Sequence, residues 1–222
     1  MSVAFGIAAI ALIVAAVMAW ILVARGGTSP AVAIGGIGLA MAVEWSLATS
    51  GVLARWSLRP PPFMVMMAAL FALTLATALR GPGSRIAASA SFALLIGTQA
   101  FRLPLELVMH QAAREGVMPV QMTYTGWNFD IVTGSLAIPI ALLAAAGRAP
   151  RWLIVFWNFG GLLLLINVVT IAIVSTPPIA AFGADHLNTW VTDSPYVWLP
   201  GVLVPAALLG HLLTFRKLVK GR

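Results

Sequence analysis

Gln99, Arg102, Glu106 and His110 follow one another at spacings of three, four and four residues. On an α-helix those spacings place all four side chains on one face. The opposite face, with Leu95, Leu105 and Val108, is apolar. A guanidinium and a carboxyl four residues apart can pair within the helix, which lowers the cost of holding either away from water. Pro104 stands between them. It removes one backbone donor, frees the carbonyl of Ala100 and predicts a bend beside the pair. A polar face, a bend and a freed acceptor together predict a lined cavity that takes a ligand, an ion or a proton. The alternative is an interhelical latch, in which Arg102 and Glu106 only hold helices together.

The stretch TGWNFDIVTG, residues 125–134, follows this face. Asn128 is a suitable N-cap, and Asp130 falls in the first turn, where the helix dipole favours a negative charge. Both can also face the polar side of the preceding helix. Glu44 is the one charge inside its own apolar run. Asn158 and Asn167 lie nine residues apart, on opposite faces of one helix, and so do not form a single site. The segment around Asp185, His186 and Trp190 is long enough to lie across a cavity mouth as a lid.

His211, in PAALLGHLLTFRK, is the only ionisable group of its run before the terminal basic cluster. Gly210 beside it lets a flat ligand or a neighbouring helix approach. Such a histidine either packs by hydrogen bonds or ligates the iron of a non-covalent b-type haem. His110 cannot share that iron within one chain, because the two imidazoles differ in depth by about 20 Å at 1.5 Å per residue. Met18, Met41 or the same histidine of a second subunit would have to supply the other axial ligand. Six of the nine methionines gather toward one side, and thioethers suit Cu(I), but Met is also an ordinary filler of apolar space.

These groups sit in a chain of 222 residues that is 61% hydrophobic and 9% charged, with a mean hydropathy of +1.00. A soluble domain carries about 25% charged residues. This chain could not cover itself with water-compatible surface, so its solvent is lipid. Period-two alternation, the mark of a membrane barrel, is missing. The expected fold is all-α: one polytopic transmembrane helix bundle over residues 1–222. Its seven spans run roughly 3–24, 30–54, 63–80, 86–113, 128–147, 152–175 and 196–216.

Seven crossings put Arg25, Arg80, Arg85, Arg148, Arg151, Arg216, Lys217, Lys220 and Arg222 on one side, against Arg55, Arg59 and Arg114 on the other. The positive-inside rule then makes the C-terminus cytoplasmic and the N-terminus external. The net charge of +7 is thereby a topology signal and not a nucleic-acid patch. The first span has no basic residue before it and Arg25 after it, which reads as a retained helix and not a cleaved signal peptide. Trp56, Tyr124, Trp127, Trp190, Tyr196 and Trp198 would form the outer aromatic belt, with Trp20 and Trp152 inside.

The chain has no cysteine, which excludes disulfides, iron–sulfur clusters and c-type haem. The only lysines, Lys217 and Lys220, lie at the terminus, so no retinal Schiff base can form in the bundle. No serine-hydrolase, zinc-protease, P-loop or dinucleotide fingerprint stands at a usable place. The chain reads as a binder or carrier more than an enzyme.

From about residue 100 onward, the strings FRLPLE, MTYTGWNFDIVTG, WNFGGLLLLINVV and YVWLPGVLVPAALLGHL resemble a widespread uncharacterised family of bacterial multi-pass membrane proteins. The resemblance implies an inner-membrane location and draws attention to Arg102, Glu106, Asn128, Asp130, Asn158, Asn167 and His211. It carries no activity. Two functions are therefore expected. One is a b-type haem protein with His211 on the metal. The other is a small-molecule or proton-coupled transporter using Glu44, Arg102, Glu106 and His110. Partners are the lipid bilayer and a second copy in a homo-oligomer.

Overall fold

The computed structural model describes residues 2–220, so Arg222 of the basic cluster lies outside the described residues. The helices are α1 (Val3–Ala24), α2 (Pro30–Thr49), α3 (Pro62–Leu79), α4 (Gly81–Ser89), α5 (Phe92–Gly97), α6 (Arg102–Arg114), α7 (Ile131–Ala145), α8 (Arg151–Val174) and α9 (Val204–Lys220). A 3₁₀ turn over Thr98–Phe101 joins α5 to α6, and a π-helical turn over Leu199–Leu203 leads into α9. There is no β-strand among the described residues. Ser2, Ser29 and Ser91 cap α1, α2 and α5, each accepting from a backbone N–H three residues on. Pro30 and Pro62 open α2 and α3, where a missing N–H costs nothing.

Among the described residues, six segments are long and apolar enough to cross a membrane: α1, α2, α3, the α5–α6 unit, α8, and the π turn with α9. Large apolar side chains point outward along them, with Phe156 75%, Trp152 68% and Leu39 67% exposed. Water would penalise that surface and lipid does not, so the bundle fits a membrane-embedded protein. The fifth expected span, 128–147, is shorter than read. α7 has 15 residues, about 22 Å at 1.5 Å per residue, against a hydrocarbon core of about 30 Å. Asn128 and Asp130, taken as part of that span, precede its first turn.

The fourth expected span, 86–113, is not one helix. Ala90 is extended (φ −76°, ψ 141°), and Ser91 caps a fresh start, so α4 is a separate short helix. The irregularity foreseen at Pro104 falls one turn earlier, in the 3₁₀ turn that delivers Arg102 to the head of α6.

Hydrogen bonds tie the basic residues into one end of the bundle. Arg85 Nε donates to the carbonyl of Gly26 (2.5 Å), and Arg151 donates to that of Leu218 (2.6 Å). Arg216 donates to the Ala78 carbonyl and Ser84 Oγ, and Lys217 reaches the Ala87 carbonyl. The C-terminus of α8, Val174, lies 23 residues beyond Arg151, hence about 35 Å away. There Gln121 donates to Ser175 Oγ (3.1 Å) and the His186 carbonyl (2.8 Å), and Asn188 donates to the Ala172 carbonyl (3.1 Å). The segment expected as a lid is a packed plug at that end. Trp190, Val191 and Val197 are buried in the main core, while Asp185 and His186 face outward. Trp190, assigned to the aromatic belt from sequence, is therefore core, its ring 5.1 Å from that of Tyr196.

Candidate functional site

Four helices meet around Arg102. It is the first residue of α6, and Asp130 is the residue that opens α7, so two helix N-termini face each other. Gly134, one turn into α7, permits the approach: a Cβ there would stand 2.4 Å from the backbone nitrogen of Leu103 and 2.9 Å from the carbonyl carbon of Arg102. The Arg102 fork then donates from Nε to Asp130 Oδ2 (2.5 Å) and from Nη2 to Asp130 Oδ1. Both side chains are buried. This bidentate geometry is the strongest that the two groups can make.

The third arm of the guanidinium, Nη1, lies 2.7 Å from His211 Nε2. A guanidinium only donates, so Nε2 is the acceptor and His211 carries its proton on Nδ1. That proton is given to Asn158 Oδ1 at 2.9 Å, and Asn158 Nδ2 returns a bond to the His211 carbonyl at 3.1 Å. Gly161, one turn along α8, leaves room for the ring: a Cβ would lie 2.6 Å from His211 Cε1. Trp157 closes the other side at 5.5 Å between ring centroids, its indole donating to the Thr133 carbonyl (3.2 Å).

A second leg runs from Asp130 to Glu106. The Asp130 N–H donates to Asn128 Oδ1 (3.0 Å), and Asn128 Nδ2 donates to both Glu106 oxygens (2.9 Å each) and to the Met122 carbonyl (3.0 Å). The pair expected within the helix, Arg102 with Glu106, is not formed. Arg102 turns across to α7, and Asn128 takes Glu106. The capping roles fail for the same reason. Asp130 holds the N-cap position but spends its carboxylate on Arg102, and Asn128 lies two residues before it. Arg102–Asp130 is the one ion pair among the described residues.

The other expected site residues separate. His110 stacks on Tyr124 at 4.6 Å, eight residues and about 12 Å along α6 from Arg102. Asn167 donates to the Trp127 carbonyl (2.7 Å), away from Asn158, as the opposite-face reading required. Glu44 lies outside the network. It is 3% exposed and packs against the π turn, where a Cβ on Gly201 would fall 2.3 Å from Glu44 Oε2.

Two chambers flank the network. One of about 360 Å³ lies between α1, α5 and α9, lined by Leu95, Gln99 and Gly210 among others. The other, about 350 Å³, lies between α1, α2, α3 and α9, with Glu44, Thr74 and Gly201 on its walls. Met18, Leu22 and Leu209 belong to both. Each chamber has a buried polar atom with no partner among the described residues: Gln99 Oε1 in the first, and Glu44 Oε2 and Thr28 Oγ1 in the second. An unpaired buried polar atom costs on the order of 1–3 kcal/mol, so each marks a place where a hydrogen-bond partner would be taken up. Neither the chambers nor the role of Gly201 was read from the sequence. The one available signal was Glu44, a lone charge in an apolar helix.

The arrangement does not fit an axial haem site. Nε2 of His211 is engaged by Arg102 and Nδ1 by Asn158, which leaves no free lone pair for iron. Met18 and Met41 line the second chamber, which Glu44 shares.

Comparison of the chain with protein-family models, with curated proteins and with solved structures returned no match in any of the three.

Proposed function

We propose that this chain is a ligand-binding carrier of the bacterial inner membrane, which takes up a small molecule bearing hydrogen-bond donors in the two adjoining chambers. The observation that carries the reading is the pair of donorless acceptors, Glu44 Oε2 and Gln99 Oε1, in chambers that share Met18, Leu22 and Leu209 as a common wall. They are two of the eight buried side-chain atoms without a partner among the described residues, and both belong to side chains that line the adjoining chambers. Glu44 and Gln99 contact the ligand. Arg102, Asp130, His211 and Asn158 have satisfied one another and fix α6 to α9 as the frame against which the α1–α2 side works. Glu106 and Asn128 extend that frame.

The test is uptake. Reconstituted into proteoliposomes, the protein should accelerate entry of those amines or alcohols that raise its melting temperature in detergent. Glu44→Gln and Gln99→Leu should remove both effects while leaving the ligand-free melt within a few degrees. If no donor-bearing compound raises the melt, the network is only a latch and the carrier reading is lost.

The reading includes seven crossings, with α7 and the turn before it supplying the fifth. The basic end then faces the cytoplasm. A reporter enzyme fused at the C-terminus should be active only when cytoplasmic, and one inserted in 177–184 only when external. Inverse activities at both positions would reverse the orientation.

A further inference from the structure

We infer that the Glu44 chamber receives a hydrophobic ammonium ion, which enters sideways from the lipid between α2 and α3. This rests on the carrier reading and names the ligand class at one of its two chambers. Glu44 is the only charged residue on the walls among the described residues. The remaining polar groups there are Thr28, Thr74 and Thr77. Thr74 and Thr77 already donate to the carbonyls of Leu70 (2.8 Å) and Leu73 (2.9 Å), so they offer the chamber only lone pairs. Thr28 Oγ1 is buried without a partner among the described residues and can accept or donate. The chamber thus offers mostly oxygen acceptors and one potential negative charge, and a bound molecule must bring the positive charge and most of the donors. An ammonium has three donors and no acceptor, which is the complement required.

The rest of the surface is apolar, including Ile37, Leu70, Leu73 and Val202, and so calls for an apolar body. A volume of about 350 Å³ lies at the low end of the range for small-molecule pockets, about 300–1,000 Å³. That suits an aryl-alkyl or short alkyl amine more than a polar polyamine.

The entry route follows from the packing. α2 leans on α1 and the π turn, whereas α3 leans on α9 and α4, so the two do not close on each other. Only Ala33, Met41, Glu44 and Ala48 of α2 are buried, and only Phe63, Thr74 and Ala78 of α3. Gly36 lines the chamber, and a Cβ added there would meet nothing within 4 Å. A larger side chain at this position would obstruct the opening without disturbing any contact.

The experiment uses the full chain in phosphatidylcholine nanodiscs, with empty nanodiscs subtracted. The probes are radiolabelled 2-phenylethylammonium and 2-phenylethanol, which share a body and differ in charge. Saturable binding of the ammonium is expected, on the order of tenfold or more tighter than the alcohol. Glu44→Gln should weaken the ammonium to the level of the alcohol. Gly36→Leu should abolish binding of both without lowering the melting temperature, since it replaces a helical glycine facing open space. Equal binding of the two probes, or ammonium binding that survives Gly36→Leu, overturns the inference. Saturable binding of the alcohol alone would overturn the ammonium class and leave the carrier reading standing. No saturable binding of either would mean that the crevice holds acyl chains only, and would overturn the inference.

Discussion

Asp130→Ala should destabilise the protein by about 3–5 kcal/mol, the cost of leaving a buried charge without its partner. Arg102 is 1% exposed, and its only carboxylate partner among the described residues is Asp130, at the head of α7. Without Asp130 the guanidinium would keep a single neutral acceptor, His211 Nε2, in a region where water cannot take over. The double change Arg102→Leu with Asp130→Ala should recover much of the loss, because no charge is then stranded. Recovery should stay incomplete, since His211 Nε2 loses its donor. Glu106→Ala should cost less, about 1–3 kcal/mol, because Asn128 Nδ2 retains the Met122 carbonyl. Unfolding in mixed micelles measures all four proteins. If Glu106→Ala costs as much as Asp130→Ala, Arg102 is not held by Asp130 and the network described above is misassigned.

The contrast between these two carboxyls shows which part of the site was legible in the sequence. The burial of Gln99, Arg102 and Glu106 follows from their spacing alone, because one helical face must turn inward when lipid is the solvent. Their partners do not follow, since Arg102 stands as close to Glu106 along the helix as a pairing rule requires. What decides is the approach of α7, set by Gly134, and no local rule ranks one glycine in an apolar run above another. The chambers were hidden for a similar reason. They arise where α1 and α9 separate, and only the lone charge of Glu44 pointed there. Spans set by apolar length were legible, as α1, α2, α3, α8 and α9 show. The break before α5 was not, because Ser91 reads equally as a helix-interior serine or as a cap.

The role given to Gly134 yields the second large effect. In Gly134→Ala the new methyl would stand 2.4 Å from Leu103 N, 2.9 Å from Arg102 C and 3.0 Å from Arg102 Cβ. Two of those atoms are backbone and cannot rotate away, so α6 and α7 must part. Parting them lengthens the Arg102–Asp130 bonds, which adds an electrostatic loss to the steric one. A destabilisation of about 3 kcal/mol is expected, the upper end of overpacking penalties. Gly160→Ala is the matched control. That glycine lies within α8, and a Cβ there meets nothing within 4 Å. Alanine should be neutral or stabilise by up to about 1 kcal/mol through helix propensity. The two variants add the same methyl to the same kind of backbone, so composition cannot explain a difference. Should both melt like the parent protein, α6 and α7 are not in backbone contact, and the bidentate pair that depends on this contact would have to be abandoned with it.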